Sequence, residues 1–229
     1  MRKTVQIGEK LQKEFPGLEI SEKKVSLLKQ HLDLLTKWNS KINLTAIRNP
    51  EEMLIKLYFD SLVVLDGSRI SDGRKYLSGK ILDLGSGAGI PGIILSMFDS
   101  SFQVTSVDKS GKKTSFQQHL VQTLHLSNVV VKNSRLEDLE IRPDFRFAYD
   151  TIISRAFDQI KKILYFADQF LKSNGYVVMW KGKKWKEELA GVDKDFLPKY
   201  QLLKAQEYGF HDSDHGGTIL VFQKLKMEE

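Results

Sequence analysis

A strand that runs directly into a glycine-rich turn constrains this chain more than any other part of its sequence. Residues 81–84 form a short, mostly apolar run typical of a buried parallel strand. Gly85, Gly87 and Gly89 follow at alternate positions, where glycine lets the backbone turn tightly and approach a ligand. Pro91 stands where a helix can begin, because a first helical turn needs no N–H there. This order of strand, turn and helix start predicts a nucleotide-type binding crevice.

Two binding motifs compete for the same letters. Residues 87–92 satisfy G-x-G-x-x-G, the dinucleotide fingerprint, whereas residues 83–89 read D-x-G-x-G-x-G, which resembles the first motif of S-adenosylmethionine-dependent methyltransferases. A dinucleotide brings a doubly charged pyrophosphate to the helix N-terminus, where the Asp83 carboxylate would repel it. The methionine end of S-adenosylmethionine carries an ammonium and a sulfonium, which suit a carboxylate. We therefore favour S-adenosylmethionine; the alternative is a glycine turn without a ligand.

Composition limits the classes of protein that remain. At 229 residues, the chain is long enough for one large domain with a helical extension. Its 35 basic and 29 acidic residues leave a net charge of +6, which permits a nucleic-acid partner without requiring one. No cysteine is present, which excludes disulfides, thiolate metal sites and the covalent route to carbon-5 pyrimidine methylation. Because no signal segment or membrane-length apolar run is found, we expect a cytoplasmic protein with no membrane and no metal.

The hydrophobic pattern changes along the chain. Helical periodicity dominates residues 1–66, which we expect to form an N-terminal extension packed on the core, while residues 67–229 form the methyltransferase domain. Alternating strands and helices predict an α/β, Rossmann-like class I methyltransferase fold with a mostly parallel, doubly wound sheet and an antiparallel edge hairpin. The predicted helices cover residues 4–15, the segment from the Ser21 cap to Trp38, and residues 50–64, 91–98, 111–125, 158–171 and 185–196. The predicted strands cover residues 81–84, 102–107, 128–132, 149–153, 175–180, 200–208 and 218–224.

Polar residues directly after the strands are the candidates for ligand contacts, because ligands bind at the carboxyl ends of such sheets. Asp108 ends the second strand, where a carboxylate can accept hydrogen bonds from both ribose hydroxyls; capping the next helix is the alternative. Leu136 and Glu137 follow the third strand, where an adenine ring would lie, with loop packing as the alternative. Arg155 follows the fourth strand at the mouth of the crevice, and a surface salt bridge is its alternative.

The residues after the fourth strand also indicate the kind of methyl acceptor. Methyltransferases that act on exocyclic amines usually carry an Asn/Asp-Pro-Pro-aromatic run there, and this chain has S-R-A-F at residues 154–157. An arginine offers only donors, which suit the O6 and N7 edge of guanine or a phosphate.

Further motifs lie along nearly the whole chain and add to the evidence from the glycine turn. They are N-L-T-A-I at 43–47, D-S-L at 60–62, D-L-G-S-G-A-G-I-P-G at 83–92, V-D-K-S at 107–110 with Lys112 and Lys113, Ser134, Arg135 and Glu137, I-S-R-A at 153–156, and K-G at 181–182. With them the chain resembles the bacterial guanine-N(7) methyltransferases of small-subunit (16S) ribosomal RNA, also called glucose-inhibited division protein B. The resemblance implies a Rossmann-like methyltransferase domain with a helical extension, which acts on a guanine in the decoding region of 16S ribosomal RNA or the small ribosomal subunit.

The resemblance also implies roles for single residues. Gly85, Ile90, Leu136, Glu137 and Arg155 would line the cofactor pocket, beside Asp83, Gly87 and Asp108 from the motif itself. The chain departs from the family at Lys56-Leu57, where Arg-His is usual, so we assign no role there. Guanine N7 carries a lone pair and no proton, so alignment and electrostatics suffice and we assign no catalytic base.

A group of basic residues is expected to face the RNA. Arg135, Lys181, Lys183 and Lys184 would neutralise phosphates, and a solvated basic loop is the alternative. We expect Trp180 in the core, while Trp185 could equally stack on a base or anchor the next helix.

Other polar residues and other functions complete the expectations. We expect His31 to be solvated, and Asp212, Asp214 and His215 to form a solvated acidic loop rather than a metal site. An NAD-dependent oxidoreductase and a non-enzymatic RNA-binding protein are the alternative functions. We expect a monomer.

Overall fold

The structure is a computed structural model that describes residues 2–193, 197–211 and 213–226, with side chains from residue 6 onwards. Within those residues, one seven-stranded sheet carries helices on both faces. The strands are β1 (Lys80–Leu84), β2 (Gln103–Asp108), β3 (Val129–Asn133), β4 (Tyr149–Arg155), β5 (Leu171–Lys181), β6 (Tyr200–Phe210) and β7 (Ser213–Lys224). The α-helices are α1 (Arg2–Glu14), α2 (Glu22–Asn39), α3 (Pro50–Met53), α4 (Asp60–Leu62), α5 (Gly92–Phe98), α6 (Gly111–Thr123), α7 (Leu136–Glu140), α8 (Ile160–Phe170) and α9 (Trp185–Ala190).

The sheet has the order β3-β2-β1-β4-β5-β7-β6. β1 pairs in parallel with β2 on one side and β4 on the other, and β3 and β5 extend the parallel part outward. β7 pairs antiparallel with β5, and β6 is its hairpin partner at the edge. The predicted doubly wound sheet with an antiparallel edge hairpin is therefore confirmed. Its switch point lies between β1 and β4, where ligands bind in such sheets.

Two hydrophobic cores cover the two faces of this sheet. On one face, α5 and α6 share a single core with the helices of the first 65 residues, as shown by Leu28 of α2, Phe116 of α6 and Val104 of β2. On the other face, α7, α8 and α9 pack in a second core around Phe166. The N-terminal helices have no separate core, because their apolar side chains are buried against α5 and α6.

A buried ion pair ties the N-terminal helices to the edge hairpin. The Arg69 guanidinium lies over the rings of Phe15 and Phe210, 5.5 Å from each centroid. It donates to the backbone carbonyl of Glu14 at 2.8 Å and pairs with the Glu14 carboxylate. The end of α1 and the end of β6 are thus held together through one arginine.

The helix predicted over residues 50–64 is present but irregular. Asn49 caps it, since its side-chain oxygen accepts the N–H groups of Glu51 and Glu52. A π-helical stretch over Leu54–Phe59 interrupts it, and a 3-10 turn ends it at Leu65. Such π-helical turns are frequent at functional sites, and this one ends directly before Asp60.

Other boundaries differ from the sequence expectations. α7 was not predicted, because its five residues are too few to show helical periodicity. β5 and β7 begin at Leu171 and Ser213, earlier than predicted. α9 ends at Ala190, and residues 194–196 of the predicted helix lie outside the described residues.

The prediction that His31 is solvated is wrong. Its side chain is fully buried, edge-on to the rings of Tyr58 and Phe116, and its Nδ1 is hydrogen-bonded to the Tyr58 hydroxyl. Burial lowers the pKa of His31 to about 3. Because the segment around Tyr58 and helix α6 both pack on α2, a second face of that helix is buried.

Membrane-spanning helices and metal-binding clusters are both absent from the part of the chain that the structure describes. No helix there combines the length and apolar character needed to cross a membrane. No group of three or more histidine, cysteine, aspartate or glutamate side chains in that part is arranged to hold a metal ion.

Candidate active site

The glycine turn after β1 has the left-handed backbone that the sequence predicts. Gly85, Gly87 and Gly89 have φ values of +67°, +60° and +81°. A Cβ atom on Gly85 would meet the Phe157 ring at 2.1 Å, whereas a Cβ on Gly87 would meet nothing within 4 Å. The turn is therefore covered at its start and open at its centre, so a ligand can approach the backbone of Gly87.

Asp83 lies beneath this turn with its side chain fully buried. One carboxylate oxygen accepts the backbone N–H of Gly92 at 2.9 Å, and the other, Oδ1, has no hydrogen-bond partner among the described residues. Burial raises the pKa of Asp83 to about 7, and the nearby Asp108 also raises it, while the Gly92 hydrogen bond and the Arg155 charge lower it. A buried carboxylate with an unpaired oxygen is a site where a cationic group would be stabilised.

Asp108, at the end of β2, is joined to the same turn. Its carboxylate accepts the N–H of Gly87 at 2.9 Å and the N–H of Ser110 at 2.8 Å. The contact with Ser110 is a capping interaction at the start of α6, so the alternative role considered for Asp108 is present. A carboxylate has about four acceptor positions, so two remain for hydroxyl groups of a ligand.

Gln117 of α6 was not identified from the sequence. Its side-chain amide donates to the carbonyl oxygen of Gly87 at 2.8 Å and to the Ser86 hydroxyl at 2.9 Å. The Ser106 hydroxyl of β2 donates to Gln117 in return, at 2.7 Å. A glutamine on a helix gives no local signal, because its partners lie 11 to 31 positions away in the chain.

The residues after β3 are brought to the same edge of the sheet. The Asn133 side-chain amide donates to the Asp108 carbonyl oxygen at 3.0 Å, which holds the start of α7 next to the end of β2. Leu136 is buried in the second core, and Glu137 is exposed in the first turn of α7. Ile90, from the glycine turn, is buried in the first core.

Arg155, at the end of β4, is paired with Asp60, a residue to which the sequence analysis assigned no role. Arg155 Nε lies 2.5 Å from Asp60 Oδ2, and Arg155 Nη2 donates to the backbone carbonyl of Lys56 at 2.5 Å. The salt bridge is buried: the side chains of Arg155 and Asp60 are 18% and 4% exposed. The salt bridge weighed for Arg155 is thus present, and it faces inward rather than lying at the surface.

Asp60 has further partners from the edge hairpin and from β5. Its Oδ1 accepts the Tyr208 hydroxyl at 2.6 Å and lies 3.0 Å from His215 Nε2, while its backbone carbonyl accepts the Trp180 indole N–H at 2.6 Å. Burial acts to raise the pKa of Asp60, but the bonds from His215 and Tyr208 and the charge of Arg155 hold it below its usual value. Asp60 is therefore an ionised carboxylate that joins the N-terminal helices to β4, β5 and the hairpin.

A cleft of about 500 Å³ opens beside this network. Arg155, Phe157, Lys181 and His215 line it, together with the backbone of the Gly216-Gly217 pair. Arg155 lines this cleft, and its Nη1 has no hydrogen-bond partner among the described residues, so the guanidinium keeps free donors.

The structure separates the expected RNA-facing residues into two groups. Arg135, Lys183 and Lys184 are exposed. Lys181 is 9% exposed, and its ammonium donates to Glu188 at 2.7 Å and to the Asp158 carbonyl oxygen at 2.6 Å. Lys181 is therefore part of the wall of the cleft rather than of the outer surface.

The structure also gives the positions of Trp180, Trp185 and His215. Trp180 is 5% exposed, which confirms the core position expected for it. Trp185 is partly buried against the second core, where it anchors α9. The expectation that His215 lies in a solvated loop is wrong, because this residue is in β7 and contacts Asp60. Asp212 lies outside the described residues.

Comparisons with known proteins agree with the geometry. The family model described as rRNA small subunit methyltransferase G matches residues 24–212. Proteins called ribosomal RNA small subunit methyltransferase G match from Clostridium botulinum (strain Eklund 17B / Type B), at 31% identity over 92% of this chain and 86% of the relative, and from Xylella fastidiosa (strain M23), at 37% identity over 82% and 81%. Among solved structures, a precorrin-6y C5,15-methyltransferase from Geobacter metallireducens GS-15 is similar, with a TM-score of 0.51 and 17% identity over 66% of this chain and 85% of that one. The last similarity supports the Rossmann-like methyltransferase fold.

Proposed function

The chain belongs to the rRNA small subunit methyltransferase G family, and from this we propose that it transfers a methyl group from S-adenosylmethionine to ring nitrogen 7 of a guanine in 16S ribosomal RNA. When bound, S-adenosylmethionine supplies an electrophilic methyl group. Guanine N7 has a lone pair and no proton, so the protein aligns the reactants and needs no general base. The observation that carries the proposal is the open glycine turn beside Asp83, a buried carboxylate with an unpartnered oxygen.

The residues around the glycine turn fit this cofactor. The negative charge of Asp83 beneath the turn suits the cationic end of the cofactor, and the remaining acceptor positions of Asp108 suit the two ribose hydroxyls. The open backbone at Gly87 leaves room for the ligand to approach. The proposed cofactor residues are Asp83, Gly85, Gly87, Ile90, Asp108, Leu136, Glu137 and Arg155. Of these, Arg155 lies at the boundary with the acceptor cleft, and its Nη1 is assigned to the acceptor base.

The acceptor guanine is assigned to the cleft beside Arg155. The cleft lies at the carboxyl ends of β4 and β5, next to the glycine turn that Phe157 touches. The free Nη1 donors of Arg155 match the O6 acceptor of guanine. Methylation of N7 releases no proton, so the cleft needs no free carboxylate to act as a base. Its carboxylates are engaged in ion pairs: Asp60 with Arg155, Asp158 with Lys162, and Glu188 with Lys181.

The RNA backbone is assigned to the basic surface around the cleft. Arg135, Lys183 and Lys184 are exposed, and no salt bridge engages them within the described residues. Lys181 would contribute its charge from the wall of the cleft. Lysine and arginine side chains without carboxylate partners are available to phosphates.

Charge reversal tests this surface. We expect the Lys183→Glu, Lys184→Glu double variant to weaken RNA binding and to reduce the salt slope by roughly 1.4–1.8, since each phosphate contact contributes about 0.7–0.9. The matched control reverses Lys80 and Lys226, which are exposed near the opposite edge of the sheet and cause the same change in net charge. Equal weakening by both double variants would contradict a localised RNA surface.

The remaining parts of the proposal concern partners and organisation. We propose that the acceptor is 16S ribosomal RNA, alone or in the small ribosomal subunit, that the protein acts as a monomer, and that it works in the cytoplasm, where this RNA is assembled. Residues 1–66 would act as an extension of the catalytic domain formed by residues 67–229. The oxidoreductase and the non-enzymatic RNA-binding alternatives are not favoured, because the family is one of methyltransferases.

Binding and transfer assays test the proposal. In calorimetric titrations we expect S-adenosylmethionine to bind and NAD to give no heat. With S-adenosylmethionine labelled in its methyl group, label should enter unmodified 16S ribosomal RNA or small subunits and be recovered as 7-methylguanine. Binding of NAD alone would support the oxidoreductase, and binding of RNA without either cofactor would support the RNA-binding protein. Either result would overturn the proposal.

A further inference from the structure

His215 is the one histidine among the described residues that lines the cleft. It lies in β7, its side chain is 24% exposed, and its ring stacks on Phe210 with 6.0 Å between centroids and 11° between planes. Its Nε2 is 3.0 Å from Asp60 Oδ1. A carboxylate can only accept hydrogen bonds, so Nε2 carries the proton in this contact.

Asp60 Oδ1 accepts two donors from the same hairpin. The Tyr208 hydroxyl lies 2.6 Å from it, beside His215. The other oxygen, Oδ2, is left for Arg155, which reaches it through Nε. The carboxylate is thus divided between two sets of partners.

This division determines which donors of Arg155 remain available. Arginine and carboxylate groups frequently pair through two parallel hydrogen bonds, either side-on from Nε and Nη2 or end-on from Nη1 and Nη2, and the end-on pairing would use Nη1. Here Tyr208 and His215 occupy Oδ1, so Asp60 contacts the guanidinium through Oδ2 alone. The backbone carbonyl of Lys56 accepts one hydrogen of Nη2, and Nη1 of this cleft-lining arginine has no partner among the residues that the structure describes.

We propose that His215 is a positioning residue for methyl transfer, which fixes the Asp60 carboxylate so that Arg155 presents Nη1 to the acceptor base. The proposal rests on the proposed function, because it concerns the same cleft. His215 does not contact the reacting atoms, and its effect passes through Asp60 and Arg155. Loss of His215 leaves Oδ1 with one donor fewer, so the carboxylate can rotate from Nε to the end-on pairing that uses Nη1 and Nη2 of Arg155.

Kinetics of three single variants test this role. We expect His215→Ala to lower the single-turnover rate about tenfold, with the KM for RNA and the affinity for S-adenosylmethionine changed less than twofold. His215→Gln, whose amide can still donate to Oδ1, should recover the rate to within about threefold of wild type. His211→Ala is the matched control, since it makes the same truncation on the same hairpin at a residue that contacts Glu14 instead. We expect its rate to be unchanged.

A second measurement does not depend on activity. In the ligand-free protein, the Nε–H signal of Arg155 in nitrogen-15 NMR should shift and exchange faster with water in His215→Ala, but not in His211→Ala. Tyr208→Phe removes the other donor to Oδ1 with little change in shape and should move the same signal. This variant keeps the test valid if His215→Ala is poorly folded.

The outcomes separate the two proposals. If the wild-type protein is active and His215→Ala reacts at the same rate, the positioning role is overturned. A rate for His215→Gln as low as that for His215→Ala would also overturn it. An unchanged Arg155 signal in both His215→Ala and Tyr208→Phe would overturn it as well. Inactive wild-type protein that still gives the expected Arg155 shifts would overturn the proposed function but not the geometry.

Discussion

Asp83 provides the sharpest prediction, because its charge is unfavourable for the fold but required for the proposed cofactor. Asp83→Asn keeps an oxygen that can accept the Gly92 N–H and removes the charge from a fully buried position. We therefore expect the variant to be more stable than wild type above neutral pH and to bind S-adenosylmethionine much more weakly.

The size and sign of the stability change follow from the pKa of Asp83. Burial raises it from the usual 3.8 to about 7. The folded protein thus holds this proton more tightly than the unfolded chain, and the free energy of unfolding falls as pH rises from about 4 to about 7. Each pKa unit corresponds to about 1.4 kcal/mol, so ionised Asp83 costs up to about 4 kcal/mol above pH 7. Asparagine does not titrate, and the variant therefore avoids this loss.

Denaturation of the ligand-free proteins between pH 4.5 and pH 8.5 measures the difference. We expect the difference to be only about 1 kcal/mol at the acid end, and the variant to melt roughly 8–16 °C higher at the alkaline end. Asp33→Asn is the control: it neutralises a 64% exposed carboxylate paired with Lys29, and it should change stability by no more than about 0.5 kcal/mol. In calorimetry, the dissociation constant for S-adenosylmethionine should rise at least about tenfold in Asp83→Asn. This increase corresponds to a loss of about 1.4 kcal/mol of charge pairing.

Two results would refute this reasoning. A variant that is less stable than wild type at pH 8, or a difference that does not vary with pH, would show that burial of the charge does not dominate. Unchanged affinity for S-adenosylmethionine would show that Asp83 does not face the cationic end of the cofactor.

Three further predictions concern other buried or strained positions. Buried His31 stays neutral in the fold, so the free energy of unfolding should fall as pH drops from 6.5 toward 3, by about 3 kcal/mol at pH 4.5. In acid denaturation, His31→Gln should reduce this loss, and an unchanged pH dependence of stability in the variant would refute the prediction. Gly87→Ala should cost only about 1–2 kcal/mol of stability, because of its positive φ, yet abolish S-adenosylmethionine binding in calorimetry; Gly111→Ala is the control, and retained binding in Gly87→Ala would count against the open turn as the ligand site. Arg69→Lys should destabilise the protein by about 2–4 kcal/mol in urea, since lysine cannot reproduce both contacts to Glu14, and an effect below about 0.5 kcal/mol would contradict the proposed anchor.

The parts of the fold that follow local rules could be predicted from the sequence. The glycine turn was found because positive φ values favour glycine, and the observed angles agree. The parallel sheet and its edge hairpin were found because strands and helices alternate with a clear hydrophobic period. The cap at Ser21 was found because serine accepts N–H groups at a helix start.

The contacts that join distant segments could not be predicted in this way. Asp60 meets Arg155, Tyr208 and His215, which lie 95, 148 and 155 positions away. No periodicity within one helix or strand reports such pairs, and a histidine that lies off the apolar face of its helix or in a polar stretch looks solvated when read locally. His31 was misjudged for the same reason, since its burial depends on two other segments. Networks of buried polar groups are thus the part of the site that requires the tertiary structure.

The central claim is that this chain methylates N7 of a guanine in 16S ribosomal RNA. The most direct test compares this RNA from cells with and without the gene, after borohydride reduction and aniline treatment, which cleave the chain at 7-methylguanine. The account predicts a cleavage site that is present with the gene, absent without it, and restored when the wild-type gene is returned. Identical cleavage patterns in the presence and absence of the gene would contradict the account.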